Sequence, residues 1–238
     1  MGSELQISKR TEWLLTLPLE IQGIAHFGGK GSAKTADMCL AAIIWTDIYG
    51  DKARCLILRR YERELEGIVT MFTMFLMTIY YQGSGDKERT ATANLVKKMF
   101  NGSDMQFRLP NGGFIQLGGM EREADHLRYR GRNWNWLGVD EYPQYEGPKL
   151  INLVRAELRG APGIKPRVFL TGNPGLKGHD SVNRNFIKGK KPYQPWTEPE
   201  TGLTWVTVPS NASENPFLDA EEHHRQISII AQNDPDLA

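Results

Sequence analysis

The chain has 238 residues, enough for one sizeable core, and its 40% hydrophobic and 24% charged residues are typical of a globular protein. Lys and Arg (29) nearly balance Asp and Glu (28), so the net charge of +1 excludes a histone-like protein and confines any nucleic-acid contact to local patches. Two cysteines, Cys39 and Cys55, are too few for a disulfide scaffold and favour a reducing compartment. The start lacks the apolar core of a secretory signal, and the longest apolar stretch, 68–81, is too short to span a bilayer.

The first predicted element is a short apolar strand over residues 21–27, which ends at two glycines. A glycine-rich loop follows, and apolar residues then recur at helical spacing from 38 to 48, so the order is strand, loop, helix. Residues 53–58 have the length and flanks of a buried parallel strand, and a second helix is predicted to begin near Tyr61. The polar stretch 86–94 is expected to be a surface connection.

Residues 105–120 alternate around Asn111-Gly112-Gly113, which predicts a β-hairpin. Further strands are predicted at 136–139, 167–170 and 205–208. Residues 177–191 carry five basic residues, one acid and little apolar content, which predicts a mobile loop. Because helical segments separate most of the strands, we expect an α/β fold with a mainly parallel central sheet flanked by helices, in a single domain over 1–238.

The glycine-rich loop matches the phosphate-binding pattern G-x-x-x-x-G-K-[ST], except that Ala33 stands where the pattern has its second glycine. The loop consists of Gly28, Gly29, Lys30, Gly31, Ser32, Ala33, Lys34 and Thr35. Backbone N–H groups of such a loop surround phosphates, Lys34 can reach β- and γ-phosphate oxygens, and the Thr35 hydroxyl can ligate Mg²⁺. Ala33 is acceptable on the expectation that its backbone is right-handed. A glycine-rich turn that merely begins a helix is the alternative.

Polar residues also follow two of the predicted strands. Asp140 and Glu141 come after strand 136–139, where Asp140 would hold a metal, usually through water, and Glu141 would activate the attacking water as general base. Thr171 and Asn173 follow strand 167–170 and would lie at the same sheet edge, close to the γ-phosphate. The alternatives are solvated acids at a strand end and a simple turn before Pro174.

These three motifs, in this order and spacing, resemble the ATPase domain of the large terminase subunit of tailed double-stranded DNA bacteriophages. Tyr129-Arg130-Gly131-Arg132 and Asn215-Pro216-Phe217-Leu218 strengthen the resemblance. It implies a P-loop ATPase fold of the additional-strand, catalytic-glutamate class, and a motor that uses ATP and Mg²⁺ to drive double-stranded DNA into an empty capsid. It further implies the portal protein and the small terminase subunit as partners and a homo-oligomeric ring, a pentamer on the capsid. The implied location is the host cytoplasm at the procapsid portal, without a membrane and outside the mature virion.

The resemblance carries roles onto matching positions: phosphate binding and catalysis for Lys34, metal binding for Thr35 and Asp140, the base for Glu141, and coupling for Thr171, Gly172 and Asn173. Lys30 falls where some members carry an arginine that senses the γ-phosphate, and Arg130 where an arginine finger reaching into a neighbouring subunit is proposed. The family's full protein adds a nuclease domain, for which no room remains after Leu218, so we expect a truncated chain or an ATPase-only subunit.

Further basic residues are predicted to face DNA in the ring pore, with a merely solvated charge run as the alternative: Arg184, Lys188, Lys190 and Lys191. Two other functions remain open. A helicase-like nucleic-acid translocase shares all three motifs but normally needs a second sheet domain. A nucleotide-dependent assembly protein would bind ATP with little turnover, a role for which Glu141 has little use.

Overall fold

The computed structural model describes residues 5–81, 83–215, 218–219, 221, 224–225 and 228, so Pro216 and Phe217 of the last predicted motif lie outside the described residues. Its helices are α1 (Lys9–Leu15), α2 (Lys34–Tyr49), α3 (Glu66–Tyr80), α4 (Asp86–Met99), α5 (Lys149–Arg155) and α6 (His179–Val182). Its strands are β1 (Gly23–Gly28), β2 (Arg54–Arg59), β3 (Phe100–Asn101), β4 (Gln106–Arg108), β5 (Phe114–Gly119), β6 (Trp136–Val139), β7 (Arg167–Gly172), β8 (Pro195–Thr197) and β9 (Thr204–Ser210). Within the described residues, no helix combines the length and the apolar character needed to cross a membrane.

One sheet contains all these strands, in the order β3-β4-β5-β2-β6-β7-β1-β9-β8. The six from β5 to β9 in this order are parallel, whereas β3, β4 and β8 pair antiparallel at the edges. The predicted mainly parallel fold is therefore confirmed, and the predicted hairpin is the antiparallel pair of β4 and β5. Strand β7 lies between β1 and β6, which is the additional strand that the resemblance implies. The carboxyl ends of β1, β2, β6 and β7 consequently meet at one edge of the sheet.

Alternate residues of a strand point to opposite faces of the sheet, and both sets are apolar here. Helices therefore cover both faces. Along β2, Cys55 packs in the cluster that includes residues of α1 to α4, and Leu56 packs in the cluster that includes residues of α5 and α6. Trp136 and Phe169 are completely buried on the first face, where they pack against each other. Both faces are thus apolar, as the near-continuous hydrophobic runs of parallel strands require.

The polar stretch 86–94 forms the first nine of the 14 residues of α4, so the surface connection predicted there is wrong. Thr92, Val96 and Met99 are buried at intervals of four and three residues, which place them on one face of the helix. Val96 and Met99 lie beyond the stretch that looked uniformly polar. The charged residues of 86–94 are the solvent-facing side of an amphipathic helix rather than a loop.

The mobile loop predicted over 177–191 is also wrong in part, since 179–187 form α6 followed by a π-helical turn, Asn183–Ile187. Phe186 is buried there, with its ring centroid 5.1 Å from that of Trp205 and 5.9 Å from that of Phe27. The buried side chains of Val182 and Phe186 therefore anchor this basic segment to the sheet. The polar composition of the segment as a whole led to the prediction of a loop.

Candidate active site

The phosphate-type loop connects the end of β1 to the start of α2, as the sequence predicts. Gly28 is required by packing, because a Cβ there would lie 2.0 Å from the carbonyl oxygen of Ser210 on β9. Ala33 has φ 63° and ψ 18°, so the expectation of a right-handed backbone at this residue is wrong. The loop must reverse direction before α2 begins, and the left-handed conformation at Ala33 makes that reversal. It costs roughly 1–2 kcal/mol in a residue with a Cβ, which glycine at the pattern position avoids.

Two residues far apart in the sequence hold the carbonyl groups of the loop. Arg10 of α1 donates from Nη2 to the Ser32 carbonyl oxygen at 2.5 Å, and Asn215 donates from Nδ2 to the Gly31 carbonyl oxygen at 2.7 Å. The Ser32 hydroxyl lies 2.8 Å from that of Ser210. These contacts hold the Gly31 and Ser32 carbonyl groups against the protein, and loops of this kind bind anions through their backbone N–H groups. Sequence reasoning missed Arg10, for which no local pattern gives a signal.

A buried polar cluster supports α2 beneath the loop. Asp37 is 1% exposed and accepts hydrogen bonds from Thr11 Oγ1 at 2.6 Å and from Arg10 at 3.3 and 3.4 Å. The Nε2 atom of the completely buried His26 on β1 lies 2.9 Å from Asp37 Oδ2. This cluster joins α1, β1 and α2, and Arg10 connects it to the loop itself.

The Lys34 ammonium is enclosed by the loop. Its Nζ atom donates to the carbonyl oxygens of Gly29 at 2.6 Å and Gly28 at 3.2 Å, and to Ser32 Oγ at 2.9 Å. Burial lowers the pKa of Lys34 to about 8, although the carboxylates of Glu141 and Asp140 act in the opposite direction. Lys34 is therefore a cation held by neutral oxygens, and an anion entering the loop would stabilise its charge.

Asp140, at the end of β6, is the centre of a hydrogen-bond network and is 1% exposed. Its Oδ1 accepts from Thr35 Oγ1 at 2.9 Å and from Thr171 Oγ1 at 2.5 Å. Its Oδ2 accepts from Arg59, with Nε at 2.8 Å and Nη2 at 2.6 Å. The predicted loop, acidic and threonine motifs thus converge on one carboxylate. Arg59 was missed, although it directly follows a buried strand run, the same signal that identified Asp140.

Glu141 begins the turn that leaves β6, with a left-handed backbone at φ 53° and ψ 42°. Burial raises the pKa of its carboxyl and the neighbouring Asp140 raises it further, while Lys34, Arg59 and a hydrogen bond from the Asn173 backbone oppose the rise. A partly desolvated carboxylate of raised pKa is better suited to accept a proton than an exposed one.

The segment after β7 packs against this turn. A Cβ on Gly172 would lie 2.2 Å from Pro143 Cδ, so only glycine permits the approach. Within the described residues, Asn173 Oδ1 is a buried oxygen without a hydrogen-bond partner. Residues 171–173 therefore touch both acids of the site, through the Thr171 hydroxyl and the Asn173 backbone N–H.

The three arginines that precede β6, at positions 128, 130 and 132, contact different neighbours. Arg130 is exposed and its Nε lies 3.5 Å from Glu157, whereas Arg128 pairs with Glu62 and Arg132 donates to Gln116 at 3.4 Å. The structure thus does not bring Arg130 to the phosphate loop of its own chain. Its role as a finger stays a prediction.

The four basic residues predicted to face DNA lie on and after the π-helical turn. Arg184, Lys188 and Lys191 are exposed, whereas Lys190 is half-buried with Nζ 4.0 Å from the ring centroid of Trp196. Lys190 is therefore partly engaged by an aromatic ring. The other three present their charge to solvent.

The family model of the phage terminase large subunit matches residues 22–238 of this chain. The large terminase of a thermophilic bacteriophage is similar in structure, with a TM-score of 0.65 at 14% sequence identity over 94% of this chain and 50% of that one. The same thermophilic phage terminase in complex with ATP-γ-S gives a TM-score of 0.63 at 14% identity, over 93% and 49% of the two chains. The ATPase domain of the Thermus phage P74-26 large terminase gives a TM-score of 0.57 at 10% identity, over 98% of this chain and 96% of that one.

No curated protein matches the chain in sequence. The chain spans about half the length of the thermophilic phage terminase and nearly all of the P74-26 ATPase domain. The structural likenesses show a shared P-loop ATPase fold, and the family model covers most of the chain. The chain therefore belongs to the phage terminase large subunit family, as the order and spacing of its three motifs predict.

Proposed function

We propose that this chain is the ATPase motor of a DNA-packaging terminase, in which ATP hydrolysis powers translocation of double-stranded DNA into an empty capsid. One observation carries the proposal: the Thr35 and Thr171 hydroxyls meet on the same oxygen of Asp140, and Glu141 follows directly. Nucleotide hydrolysis needs a phosphate loop, a carboxylate that binds the metal and a second acid that acts as base, and all three lie at one edge of the sheet. Family membership supports packaging as the work performed, and the thermophilic phage terminase has been solved with ATP-γ-S and with ADP.

The residues present fit a magnesium ion. Thr35 Oγ1 and Asp140 Oδ1 are 2.9 Å apart at the mouth of the loop, and both are hard oxygen donors. Mg²⁺ prefers one or two such protein ligands together with phosphate oxygens and water. When bound, it would supply positive charge that offsets the negative charge developing on the phosphate oxygens. Thr35 would hold it directly, and Asp140 would hold it through water.

The remaining roles follow from the contacts of each side chain. Lys34 would exchange the carbonyl oxygens that it contacts for phosphate oxygens, which suit its buried charge better. Glu141 would take the proton of the attacking water. Asn173 donates its backbone N–H to Glu141, and its buried Oδ1 has no hydrogen-bond partner among the described residues. This oxygen would accept a hydrogen bond from the lytic water, and the side-chain NH2 group of Asn173 would donate to the γ-phosphate. Lys30, exposed at the loop tip, would sense the γ-phosphate.

Arg130 would act across a subunit boundary, because it is exposed and contacts Glu157 rather than its own phosphate loop. A finger supplied in trans requires a neighbouring subunit, which a homo-oligomeric ring would provide. The other partners would be the portal protein, the small terminase subunit and double-stranded DNA. The site of action would be the procapsid portal in the host cytoplasm. A pentameric ring is proposed from the resemblance alone.

The test is hydrolysis of ATP as a function of Mg²⁺ and protein concentration. Glu141→Gln removes the base and should reduce turnover by about 10²–10⁴-fold. Nucleotide binding should persist in this variant. Glu146→Gln, an exposed acid five residues on, is the matched control and should hydrolyse at the wild-type rate. Full turnover in Glu141→Gln would refute the proposed chemistry. Nucleotide binding without turnover in the wild type would favour the nucleotide-dependent assembly protein.

The finger has its own readout in the same assay. A rate per subunit that rises with protein concentration, and that Arg130→Ala abolishes, is expected because a finger contributes roughly 10³–10⁵ in rate. Arg132→Ala is the control, since Arg132 contacts Gln116 instead. Equal rates of Arg130→Ala and wild type at high concentration would eliminate the finger.

DNA binding would involve the exposed charges that follow Phe186. Replacing Lys188 and Lys191 by Ala should reduce the salt slope of DNA binding by about 0.9 for each phosphate that the protein no longer neutralises. Lys97→Ala/Lys98→Ala on α4, which packs in the cluster on the other face of the sheet, removes the same charge and should leave the slope unchanged. An equal change in both pairs would indicate a general charge effect and no DNA-facing segment.

A further inference from the structure

Arg59 is the last residue of β2, and all three nitrogens of its guanidinium are engaged. Nε and Nη2 lie 2.8 and 2.6 Å from Asp140 Oδ2, and Nη1 donates to the carbonyl oxygen of Glu64 at 2.8 Å. The Arg59 side chain is one-fifth exposed, whereas that of Asp140 is almost completely buried. A planar, fixed fork of donors makes this a directional contact rather than a diffuse charge interaction.

The sheet itself brings the two residues together. Strands β2 and β6 are parallel neighbours with Leu58 opposite Val139, so Arg59 and Asp140 follow at the same level of the sheet edge. The Asp140 N–H also donates to the Leu58 carbonyl oxygen at 2.9 Å. The pair therefore depends on strand register, and the Glu64 carbonyl fixes the far side of the guanidinium.

The two oxygens of Asp140 are divided between different partners. Oδ1 receives the Thr35 and Thr171 hydroxyls, and Oδ2 receives Arg59. A carboxylate held in this way has one orientation, with Oδ1 turned towards the phosphate loop. Without Arg59, Oδ2 would lose its cation, and the carboxylate would be free to rotate or to recruit water.

We propose that Arg59 is a positioning residue for the metal site, which acts through Asp140 by holding Oδ2 so that Oδ1 stays directed at Thr35 and the ion. This rests on the proposed function, because it requires Thr35 and Asp140 to be the magnesium-binding residues. A partner that orients a metal-binding group typically contributes 10–100-fold to metal affinity. A purely structural salt bridge would contribute to folding and leave metal affinity unchanged.

The experiment measures the Mg²⁺ concentration that gives half of the magnesium-dependent gain in affinity for a non-hydrolysable ATP analogue, adenylyl imidodiphosphate, by calorimetry. Arg59→Met should raise this concentration by about 10–100-fold. Binding of the analogue in EDTA should stay within about threefold of wild type. Arg59→Lys keeps the charge but not the fork, so it should show a smaller rise, and it gives the readout should Arg59→Met fail to fold.

Arg155→Met is the matched control, because Arg155 pairs with Glu198 at 2.6 Å in a similarly shielded bridge away from the loop. It should lower thermal stability without changing the Mg²⁺ requirement. In an Asp140→Asn background, Arg59→Met should add nothing, because the proposed action passes through that carboxylate. A further weakening in the double variant would overturn the proposal.

The response of the wild-type chain to Mg²⁺ separates the magnesium-dependent ATPase from the role of Arg59. A wild-type chain whose analogue binding ignores Mg²⁺ would contradict the magnesium-dependent ATPase, and the role of Arg59 would fall with it. If the wild-type chain responds to Mg²⁺ and both Arg59→Met and Arg59→Lys require the same Mg²⁺ concentration as the wild type, the role of Arg59 is overturned and the ATPase stays intact.

Discussion

Replacing Ala33 by glycine should stabilise the protein, which is unusual for a glycine substitution. Ala33 has φ 63° immediately before α2, a conformation that crowds its Cβ against the backbone. Relief of this strain is worth roughly 1–2 kcal/mol. Glycine also gives the unfolded chain more freedom, which offsets about 0.4–1 kcal/mol. We expect a net gain of about 0.5–1 kcal/mol, or a rise in Tm of about 1–4 °C for a chain of this size.

The assay is thermal and chemical unfolding of Ala33→Gly beside Ala41→Gly. Ala41 lies in the interior of the same helix, so its replacement should destabilise by about 0.5–1 kcal/mol. The two alanine-to-glycine changes should therefore differ in sign. Ala33→Val should destabilise, because a β-branched side chain is still less compatible with positive φ. Equal destabilisation by Ala33→Gly and Ala41→Gly would refute the left-handed conformation at Ala33.

Two further predictions concern the loop and the cluster beneath it. The pKa of Lys34 is lowered to about 8, and phosphates should raise it towards its ordinary value of 10.5. Analogue binding at pH 8.5 should therefore take up about 0.75 of a proton. Proton uptake should vanish near pH 6.5, and the affinity for the analogue should fall as the pH rises above 8. Calorimetry in buffers of different ionisation enthalpy measures both quantities. Binding at pH 8.5 without proton uptake would contradict the buried ammonium. Arg10→Met should lower the free energy of unfolding by about 3–5 kcal/mol, because it leaves the buried Asp37 without its guanidinium partner. Denaturant unfolding checks this, with the exposed Lys9→Met as control, and a decrease equal to that of the control would show that Arg10 does not support the cluster.

Local patterns predicted the parts of the site that lie close together in sequence. The strand, loop and helix around Lys34 follow from a short apolar run, small residues and helical periodicity, all within one segment. The acids at 140–141 were predicted from their position at the end of a buried run, because carboxyl ends of parallel strands share an edge. Arg59 occupies an equivalent position, but a single arginine at a strand end has no motif that distinguishes it from a solvated one.

The errors arose where distant packing decides the local structure. The polar beginning of α4 resembles a loop until Val96 and Met99 are included, and the basic segment at 177–191 is anchored by Val182 and Phe186. In both cases a few apolar side chains find partners elsewhere in the fold. Composition averaged over the segment hides them.

By itself, the sequence determined the phosphate loop and the order of the three motifs, because each motif consists of residues within a few positions of one another. It also determined the fold class, because strands and helical segments alternate along the chain. Tertiary structure alone decided the backbone hand at Ala33 and the supports of the loop. Arg10 and Asn215 reach the loop from nearly opposite ends of the chain, and β2 brings Arg59 to Asp140 only because it pairs with β6. Such contacts depend on strand order and register, which arise when the whole core packs at once and leave no local pattern in the sequence.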